Sequence, residues 1–177
     1  MRSSNWRARS SAAECEGAQP FMSSNRPPKS PSPEIRERMR NTRRRDTKPE
    51  LELRSLLHRS GLRFFVDRPV LPDDRRRRAD IVFPRAKVAV FVNGCFWHGC
   101  PEHASWPKNN AAWWRAKIEK NRDRDADTDR RLRSAGWVPV RIWEHDAPEI
   151  ALLEVRKVVN ERRRQLAEKP DRRPGAS

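Results

Sequence analysis

The sequence predicts a mixed α/β domain between two tails, from the order of its elements and from the composition of its ends. Helical and strand-like patterns follow one another in the order helix, strands, helix, strand, helix, without an internal repeat. Residues 1–33, rich in Ser, Arg and Pro, are expected to form a disordered basic tail, and residues 167–177 a flexible one. Residues 34–166 between them are therefore predicted to form a single domain.

The first element is a helix whose start and end are both marked. Asp46 or Thr47 can cap it, and Pro49 suits its first turn. Glu50 lies where a negative charge meets the positive end of the helix dipole. Gly61 ends the helix. Its predicted apolar stripe is Leu53, Leu56 and Leu57.

Strands and two more helices complete the predicted domain. "RFFVDRPVL" is predicted as a strand, and "RRRRADIVFPRAKVAVFVNG" as a hairpin that turns at Pro84 and Arg85. The segment from "NNAAWW" onwards is a long helix that Gly136 stops. "WVPVRIWEHD" is a further strand. The last helix, "APEIALLEVRKVVNERRRQL", is predicted to place Ile150, Leu153 and Val158 on its apolar side.

The charge of the chain favours a polyanionic partner. The 40 Lys and Arg residues exceed the 24 Asp and Glu residues and give a formal net charge of +16, which favours binding of nucleic acid. The alternative is a basic, ribosome-associated protein. Charge alone does not separate the two, and the candidate site residues of the chain favour the first. No apolar run approaches the about 18 residues that a membrane span needs, and no secretory signal is visible, so a cytoplasmic location is expected. The arginines expected to bind phosphates are Arg43, Arg44, Arg45, Arg76 and Arg77.

Cysteine and histidine spacing indicates a metal site. Cys95 and Cys100 lie five apart with His103 close behind, and thiolate with imidazole favours a structural zinc ion. A closed site needs a fourth ligand, and His145, after a strand that could return beside the loop, is the preferred candidate. The alternative is two buried cysteines with histidines that bind nothing. Cys15, in the predicted tail, has no part in either interpretation.

Aromatic residues accompany this metal loop. Phe96 and Trp97 lie between the cysteines, and Trp113 and Trp114 open the long helix. Aromatic side chains that project from a fixed loop can act as wedges between base steps of a duplex. The alternative, that they pack into the core, stays open.

Carboxylates provide a second candidate site. Asp80 opens the strand "ADIVF", and the neighbouring strand of the hairpin ends at Asn93. A carboxylate beside a backbone carbonyl is a suitable cradle for Mg²⁺. Glu50, His98 and Asp125 are further groups that could hold metal-bound waters or move protons. The alternative is that these residues are structural.

Five blocks of the sequence together resemble a known family. "MRNTRRRDTKPELELRSLL", "RADIVF", "VFVNGCFWHGC", "WWRAKIEKNRDRD" and "GWVPVRIWEHD" are similar in order and spacing to the very short patch repair (Vsr) DNA mismatch endonucleases, over roughly residues 37–146. The resemblance implies a restriction-endonuclease-like α/β core with a mixed sheet flanked by helices. It also implies a structural zinc and a catalytic magnesium ion.

The same resemblance implies the reaction and the partners. The expected activity is nicking of one strand 5′ to the thymine of a T:G mismatch left by deamination of 5-methylcytosine. The substrate is then double-stranded DNA that contains the mismatch. Mismatch-repair proteins and a repair DNA polymerase are the other implied partners, and a monomer suffices to cut one strand.

Family roles transfer to individual positions of this chain. Asp80 matches the metal-binding aspartate, and His98 the catalytic histidine. Asp125 matches the aspartate that orients this histidine or the metal waters, and Glu50 a helix glutamate near those waters. The positions that match zinc ligands are Cys95, Cys100, His103 and His145. The positions that match residues wedged beside the mismatch are Phe96, Trp97 and Trp114.

The chain departs from the family pattern in two places. Val92-Asn93 stands where the family has Thr-His. The backbone carbonyl of Val92 can still bind Mg²⁺. Asn93 keeps the catalytic position, but its side chain cannot exchange a proton as imidazole does. In the zinc loop, His103 comes later than expected and His145 replaces a cysteine. Two rivals therefore remain: a restriction-type nuclease of the same fold that cuts paired DNA, and a zinc-stabilised module that binds DNA without cutting.

Overall fold

The computed structural model describes residues 45–103 and 105–168, together with the isolated positions 33 and 37. Within these residues the predicted α/β class and order of elements are confirmed. Residues 1–32 and 169–177, which make up most of the two expected tails, lie outside the described residues. The elements are α1 (Lys48–Arg59), β1 (Phe65–Pro69), β2 (Arg78–Phe83), β3 (Val88–Asn93), α2 (Ala111–Ser134), β4 (Val138–Trp143) and α3 (Pro148–Glu168).

The strands form one mixed sheet in the order β1-β2-β3-β4. β1 and β2 pair antiparallel, and so do β2 and β3, whereas β3 and β4 pair parallel across the α2 crossover. The β2–β3 hairpin turns through a short 3₁₀ helix, Pro84–Ala86, and Lys87 follows it in the left-handed region at φ 51°. The turn predicted at Pro84 and Arg85 is therefore confirmed.

The start of α1 explains why Glu50 is buried. Thr47 is the N-terminal cap residue, but its side chain does not bond to the helix backbone. Instead the Glu50 carboxylate reaches back and accepts hydrogen bonds from the Asp46 backbone N–H and from the Thr47 hydroxyl, both at 3.0 Å. These bonds from the residues just before the helix anchor a carboxylate that is only 3% exposed.

Apolar residues cover both faces of the sheet. On one face Leu53 and Leu57 of α1 and the buried side of α3 pack on Ile81, Phe83 and Val90. The opposite face has a smaller cluster, formed by Val70, Leu71, Ala79, Val82, Ala89 and Leu132. The predicted stripe on α1 is thus confirmed at its two fully buried leucines. Of the helices in the described ranges, none has the length and apolar character needed to cross a bilayer.

The prediction for the apolar side of α3 is wrong at two of its three residues. Ile150 and Leu153 are 61% and 52% exposed, and Val158 is partly buried against the core. The helix instead buries Ala151, Val155 and Val159, which lie four residues apart. These smaller side chains let α3 approach α1 and the sheet closely, a choice that depends on tertiary packing and not on the apolar pattern alone.

The topology brings several loops to one edge of the sheet. Because β3 and β4 are parallel, their carboxyl ends lie side by side, with Asn93 paired to Trp143. The segment after β3 and the residues after β4 are therefore neighbours in space. The backbone N–H of Glu144 donates to the Asn93 carbonyl at 3.0 Å and extends this pairing by one residue.

Candidate active site and metal cluster

A pocket of about 550 Å³ opens at this edge of the sheet. It is lined by strands β2, β3 and β4, by the start of α1 and by the middle of α2. The structure brings together in it all the residues predicted to be catalytic: Glu50, Asp80, Asn93, His98 and Asp125. The pocket is also lined by Val92 and by Arg76 and Arg77, so that acidic groups and phosphate-binding candidates share one cavity.

Asp80 is held on the pocket wall by the neighbouring strand. Its Oδ2 accepts a hydrogen bond from the Val92 backbone N–H at 2.8 Å. Burial raises the pKa of Asp80 to about 6, against the effect of that hydrogen bond, and the nearby Glu50 carboxylate adds to the rise. Within the described residues Asp80 forms no ion pair. The charged form of this carboxylate therefore lacks a cation, which is what a divalent metal ion would supply.

Glu50 already has a positive partner. Arg54, one helical turn further along α1, contacts its Oε2 through Nη2 at 2.8 Å and contacts Asp46 through Nη1 at 2.5 Å. The guanidinium of Arg54 is thus shared by two carboxylates other than Asp80. The site keeps a net negative charge at Asp80, consistent with binding a cation there.

His98 and Asp125 form a close pair between the loop and α2. The Nδ1–H of His98 donates to Asp125 Oδ2 at 2.5 Å. Burial alone would raise the pKa of Asp125, but the hydrogen bond to His98 and the charge of Arg141 hold that pKa below its ordinary value. Asp125 therefore stays ionised, and it fixes the orientation of the His98 ring.

The loop that carries His98 lies unusually close to α2. Asn121 donates to the Trp97 carbonyl at 2.9 Å. Gly99 has φ 61°, and a Cβ at this position would lie 2.8 Å from Cγ2 of Ile118. Only glycine satisfies both conditions, so the approach of loop and helix is built into the sequence at this position.

Arg141, in β4, lines the pocket although the sequence motifs do not indicate it. Its guanidinium binds Asp129 of α2 through Nε and Nη2 and lies over the Phe91 ring at 4.8 Å. It also donates to Asn93 Oδ1 at 3.1 Å. The sequence does contain one indication that Arg141 belongs to a site. It is a charged residue inside the largely apolar strand "VPVRIW", and a charge in such a strand requires polar partners.

The four predicted zinc ligands meet beside the pocket. The ligand atoms of Cys95, Cys100, His103 and His145 all lie within 4.8 Å of one another, and both cysteines are buried and free. Cys95 Sγ is 3.0 Å from His145 Nδ1. Burial, with the nearby Cys100 and Glu144, raises the pKa of the Cys95 thiol to about 12. A thiolate here needs a cation, so the cluster could hold a metal ion.

The aromatic side chains near the loop pack on one another. Phe96, Trp97 and Trp114 meet edge to face, with ring centroids 5.2–6.0 Å apart, and Trp113 joins through Trp114. Trp114 is 8% exposed, whereas Phe96 and Trp97 are partly exposed. The aromatic group thus has one buried member, Trp114, which supports two side chains that reach the surface, Phe96 and Trp97.

The predicted phosphate-binding arginines differ in their surroundings. Arg45 is exposed and pairs with Asp67 at 2.9 Å. Arg77 is paired with Asp74 and Asp127, whereas Arg76 is exposed. Arg43 and Arg44 lie outside the described residues. Of the two predicted phosphate-binding arginines that line the pocket, Arg76 is therefore the one less restrained by carboxylates.

Comparison with known proteins gives a consistent result. The family model described as DNA mismatch endonuclease Vsr matches residues 32–103. The Type II nicking enzyme V.NaeI of Lentzea aerocolonigenes is 42% identical over 118 residues, which cover 66% of this chain and 71% of that protein. The Type II nicking enzyme V.XorIIP of Xanthomonas oryzae pv. oryzae is 40% identical over 120 residues, 67% of this chain and 85% of its own length. DNA mismatch endonuclease Vsr of Escherichia coli K12 is 36% identical over 110 residues, 60% of this chain and 66% of its own length.

Proposed function

Because the chain belongs to the Vsr DNA mismatch endonuclease family and is a nuclease that acts on DNA, we propose that it nicks one strand of a duplex 5′ to the thymine of a T:G mismatch. One observation carries the proposal: the pocket gathers Asp80, Glu50 and the His98–Asp125 pair beside a Cys/His cluster. The names of the relatives, nicking enzyme and mismatch endonuclease, support cleavage of a single strand and a mispaired substrate.

Two metal ions complete the proposed site, on a core that we assign to the restriction-endonuclease-like class. Asp80 and the backbone carbonyl of Val92 would hold Mg²⁺, which when bound polarises a phosphate oxygen and makes water a better nucleophile. A zinc ion would occupy the Cys/His cluster. Thiolate and imidazole ligands favour this ion, and four protein ligands leave no position for substrate, so its role is structural.

Side chains of the pocket would transfer the proton and orient the water in the hydrolysis of the phosphodiester bond. A water oxygen forms a bond to phosphorus, the bond from phosphorus to the leaving sugar oxygen breaks, and that oxygen takes up a proton. His98, oriented by Asp125, exchanges a proton with one of these oxygens. Glu50, anchored at the start of α1, orients water in the pocket. Asn93 also lines the site.

Recognition of DNA is assigned to the surface around the pocket. Arg45, Arg76 and Arg77 would contact phosphates, and Arg43 and Arg44 would extend this contact along the backbone. Phe96 and Trp97, supported from below by Trp114, would insert beside the mismatch. One pocket per chain cuts one strand, so a monomer suffices. The nick would then be passed to mismatch-repair proteins and a repair polymerase.

The test is cleavage of a labelled duplex that carries one T:G mismatch in varied flanking sequences. We expect nicking next to the thymine with Mg²⁺ and none with EDTA. A fully paired duplex is the control substrate. Asp80→Ala should abolish nicking and largely spare duplex binding, because it removes a metal ligand and leaves the arginines in place.

Other outcomes would select a rival. Cleavage of both strands of paired DNA would identify a restriction-type nuclease. Mismatch binding without cleavage in any sequence context would identify a binding module, the alternative that the loss of an imidazole at Asn93 favours. Nicking by Asp80→Ala at the wild-type rate would remove Asp80 from the mechanism.

A further inference from the structure

The side chain of Asn93 has a defined orientation in the pocket. Asn93 is 5% exposed, and its Oδ1 accepts a hydrogen bond from Arg141 Nη1 at 3.1 Å. The opposite assignment would place the amide NH₂ against a guanidinium, which is donor against donor. Oδ1 therefore faces Arg141, and Nδ2 is left as the free end of the side chain.

This free end has access to the pocket. Among the described residues, Nδ2 of Asn93 donates no hydrogen bond to another group. The fully buried side-chain nitrogens without a partner in the same residues are Nε of Arg54 and Nε of Arg162. Nδ2 is not one of them, so it is not sealed from solvent, and the cavity that Asn93 lines is next to it. A nearly buried donor without an acceptor is unfavourable unless a ligand or water supplies one.

Four of the five N–H groups of Arg141 are hydrogen-bonded within the protein. A guanidinium carries five N–H groups. Nε–H is directed at the Asp129 carboxylate, and the Nη2 hydrogens go to Asp129 Oδ1 at 2.9 Å and to the Asp125 carbonyl at 3.2 Å. The Nη1 hydrogens face Asn93 Oδ1 and, at 3.5 Å, Asp125 Oδ2. Arg141 is therefore engaged mainly by other groups of the protein, with only one weakly directed N–H group left.

We propose that Asn93 is a catalytic residue whose Nδ2 donates a hydrogen bond to a non-bridging oxygen of the scissile phosphate, and that Arg141 is the positioning residue that holds its amide. The proposal rests on the nuclease function above. An amide donates without exchanging a proton, so it stabilises the negative charge that grows on the phosphate during attack. The guanidinium of Arg141 also contacts Asp125, so this one side chain orients both Asn93 and the carboxylate that holds His98.

The first measurement is single-turnover nicking by Asn93→Asp. The carboxylate has the shape of the amide and keeps the acceptor for Arg141, but it replaces the donor. We expect the rate to fall about 100-fold or more, as for loss of one donor to a developing charge, with a smaller change in duplex affinity and an unchanged melting temperature. Asn160→Asp, the same substitution at an exposed position of α3, should nick at the wild-type rate. Equal rates for Asn93→Asp and Asn160→Asp would overturn the proposal.

A double-mutant cycle tests the role of Arg141. Arg141→Gln should slow nicking, and adding it to Asn93→Asp should slow the reaction about 10-fold less than the two single effects predict, because both act through one amide. Arg156→Gln, exposed on α3, is the matched control. Independent effects that multiply fully would show that Arg141 does not act through Asn93.

A spectroscopic measurement keeps the contact testable apart from cleavage. The side-chain amide signals of Asn93, identified by their absence in the ¹⁵N spectrum of Asn93→Asp, should shift when the mismatched duplex is added in magnesium-free buffer. Signals that do not move on DNA binding would overturn the contact. If the wild-type chain cuts no duplex while these signals shift, the nuclease function fails and the phosphate contact stands.

Discussion

A single carboxylate, Asp125, contacts both His98, the proposed acid–base group, and Arg141. His98 donates to it at 2.5 Å, and Arg141 lies 3.5 Å from the same oxygen. Asp125 is exposed to little competing solvent because it lies midway along α2 and faces the sheet. Its charge therefore acts on two functional groups at once.

Asp125→Asn removes this charge at almost constant shape. Without the charge, an imidazolium that forms at His98 loses its counterion, and the amide can bond to the ring in the wrong tautomer. We expect single-turnover nicking to fall about 100-fold or more, within the usual range for acid–base assistance. The measurement is the nicking assay with saturating Mg²⁺. Asp123→Asn, exposed on the same helix, is the control, and an equal loss in both variants would refute a specific role for Asp125.

Single residues also mark how far the sequence can predict this site. Asp80, His98 and Asp125 are predictable because each matches a family motif, and the pocket contains all three. Arg141 is not predictable in this way. Its role depends on the pairing of β3 with β4, which sets Arg141 opposite Phe91, and on the approach of Asp129 from α2. These contacts arise only in the folded chain.

Among the elements, α3 shows that the apolar pattern of a helix does not by itself identify the face that is buried. Its sequence offers two candidate faces, and the larger side chains at Ile150 and Leu153 suggest the wrong one. The helix instead buries Ala151, Val155 and Val159 in the core that α1 and the sheet share. Pattern alone predicts that a helix forms here, and packing determines its rotation about its own axis.

Truncating one side chain on each face of α3 should distinguish the buried face from the exposed face by the loss of stability. Val155→Ala leaves a cavity in the core and should lower the free energy of unfolding by about 1–3 kcal/mol. Leu153→Ala, on the exposed face, should change it by less than about 0.5 kcal/mol. Urea denaturation of both variants gives the comparison. A larger loss for Leu153→Ala would mean that the exposed face is covered in solution.

The loop between β3 and α2 makes its closest approach to α2 at Gly99. Gly99→Ala adds both a left-handed strain and a contact of 2.8 Å with Ile118. Gly61 has φ 83°, but a Cβ added there would meet no atom within 4 Å. Gly61→Ala should therefore cost only the backbone strain, about 1–2 kcal/mol, and Gly99→Ala measurably more by thermal unfolding. Equal losses would show that the loop moves away from α2 without cost.

The same loop should depend on its metal ion. Purified protein should contain close to one zinc ion per chain by elemental analysis, and a strong chelator or Cys100→Ala should lower the melting temperature, because the loop has little regular structure of its own. His58→Ala, on the exposed side of α1, should change neither value. A zinc-free chain of full stability would refute the metal cluster.

Across the whole molecule, the excess of 40 basic over 24 acidic residues should govern affinity for DNA. Much of that charge is neutralised locally, as in the Arg77–Asp74–Asp127 contacts, so the free arginines matter most. Arg76→Gln should reduce the slope of log K against log salt by about one unit, and Arg156→Gln should leave it unchanged. Fluorescence anisotropy across a salt series measures both. Equal slopes would remove Arg76 from the interface.

His98 lies between the two cysteines of the metal cluster, and its ring is also held by Asp125 of α2. On the proposed roles, metal loading and nicking are therefore linked. A chain without zinc would lose one restraint on the position of this histidine, and its nicking rate should then depend on the supply of zinc during synthesis as well as on Mg²⁺ in the assay.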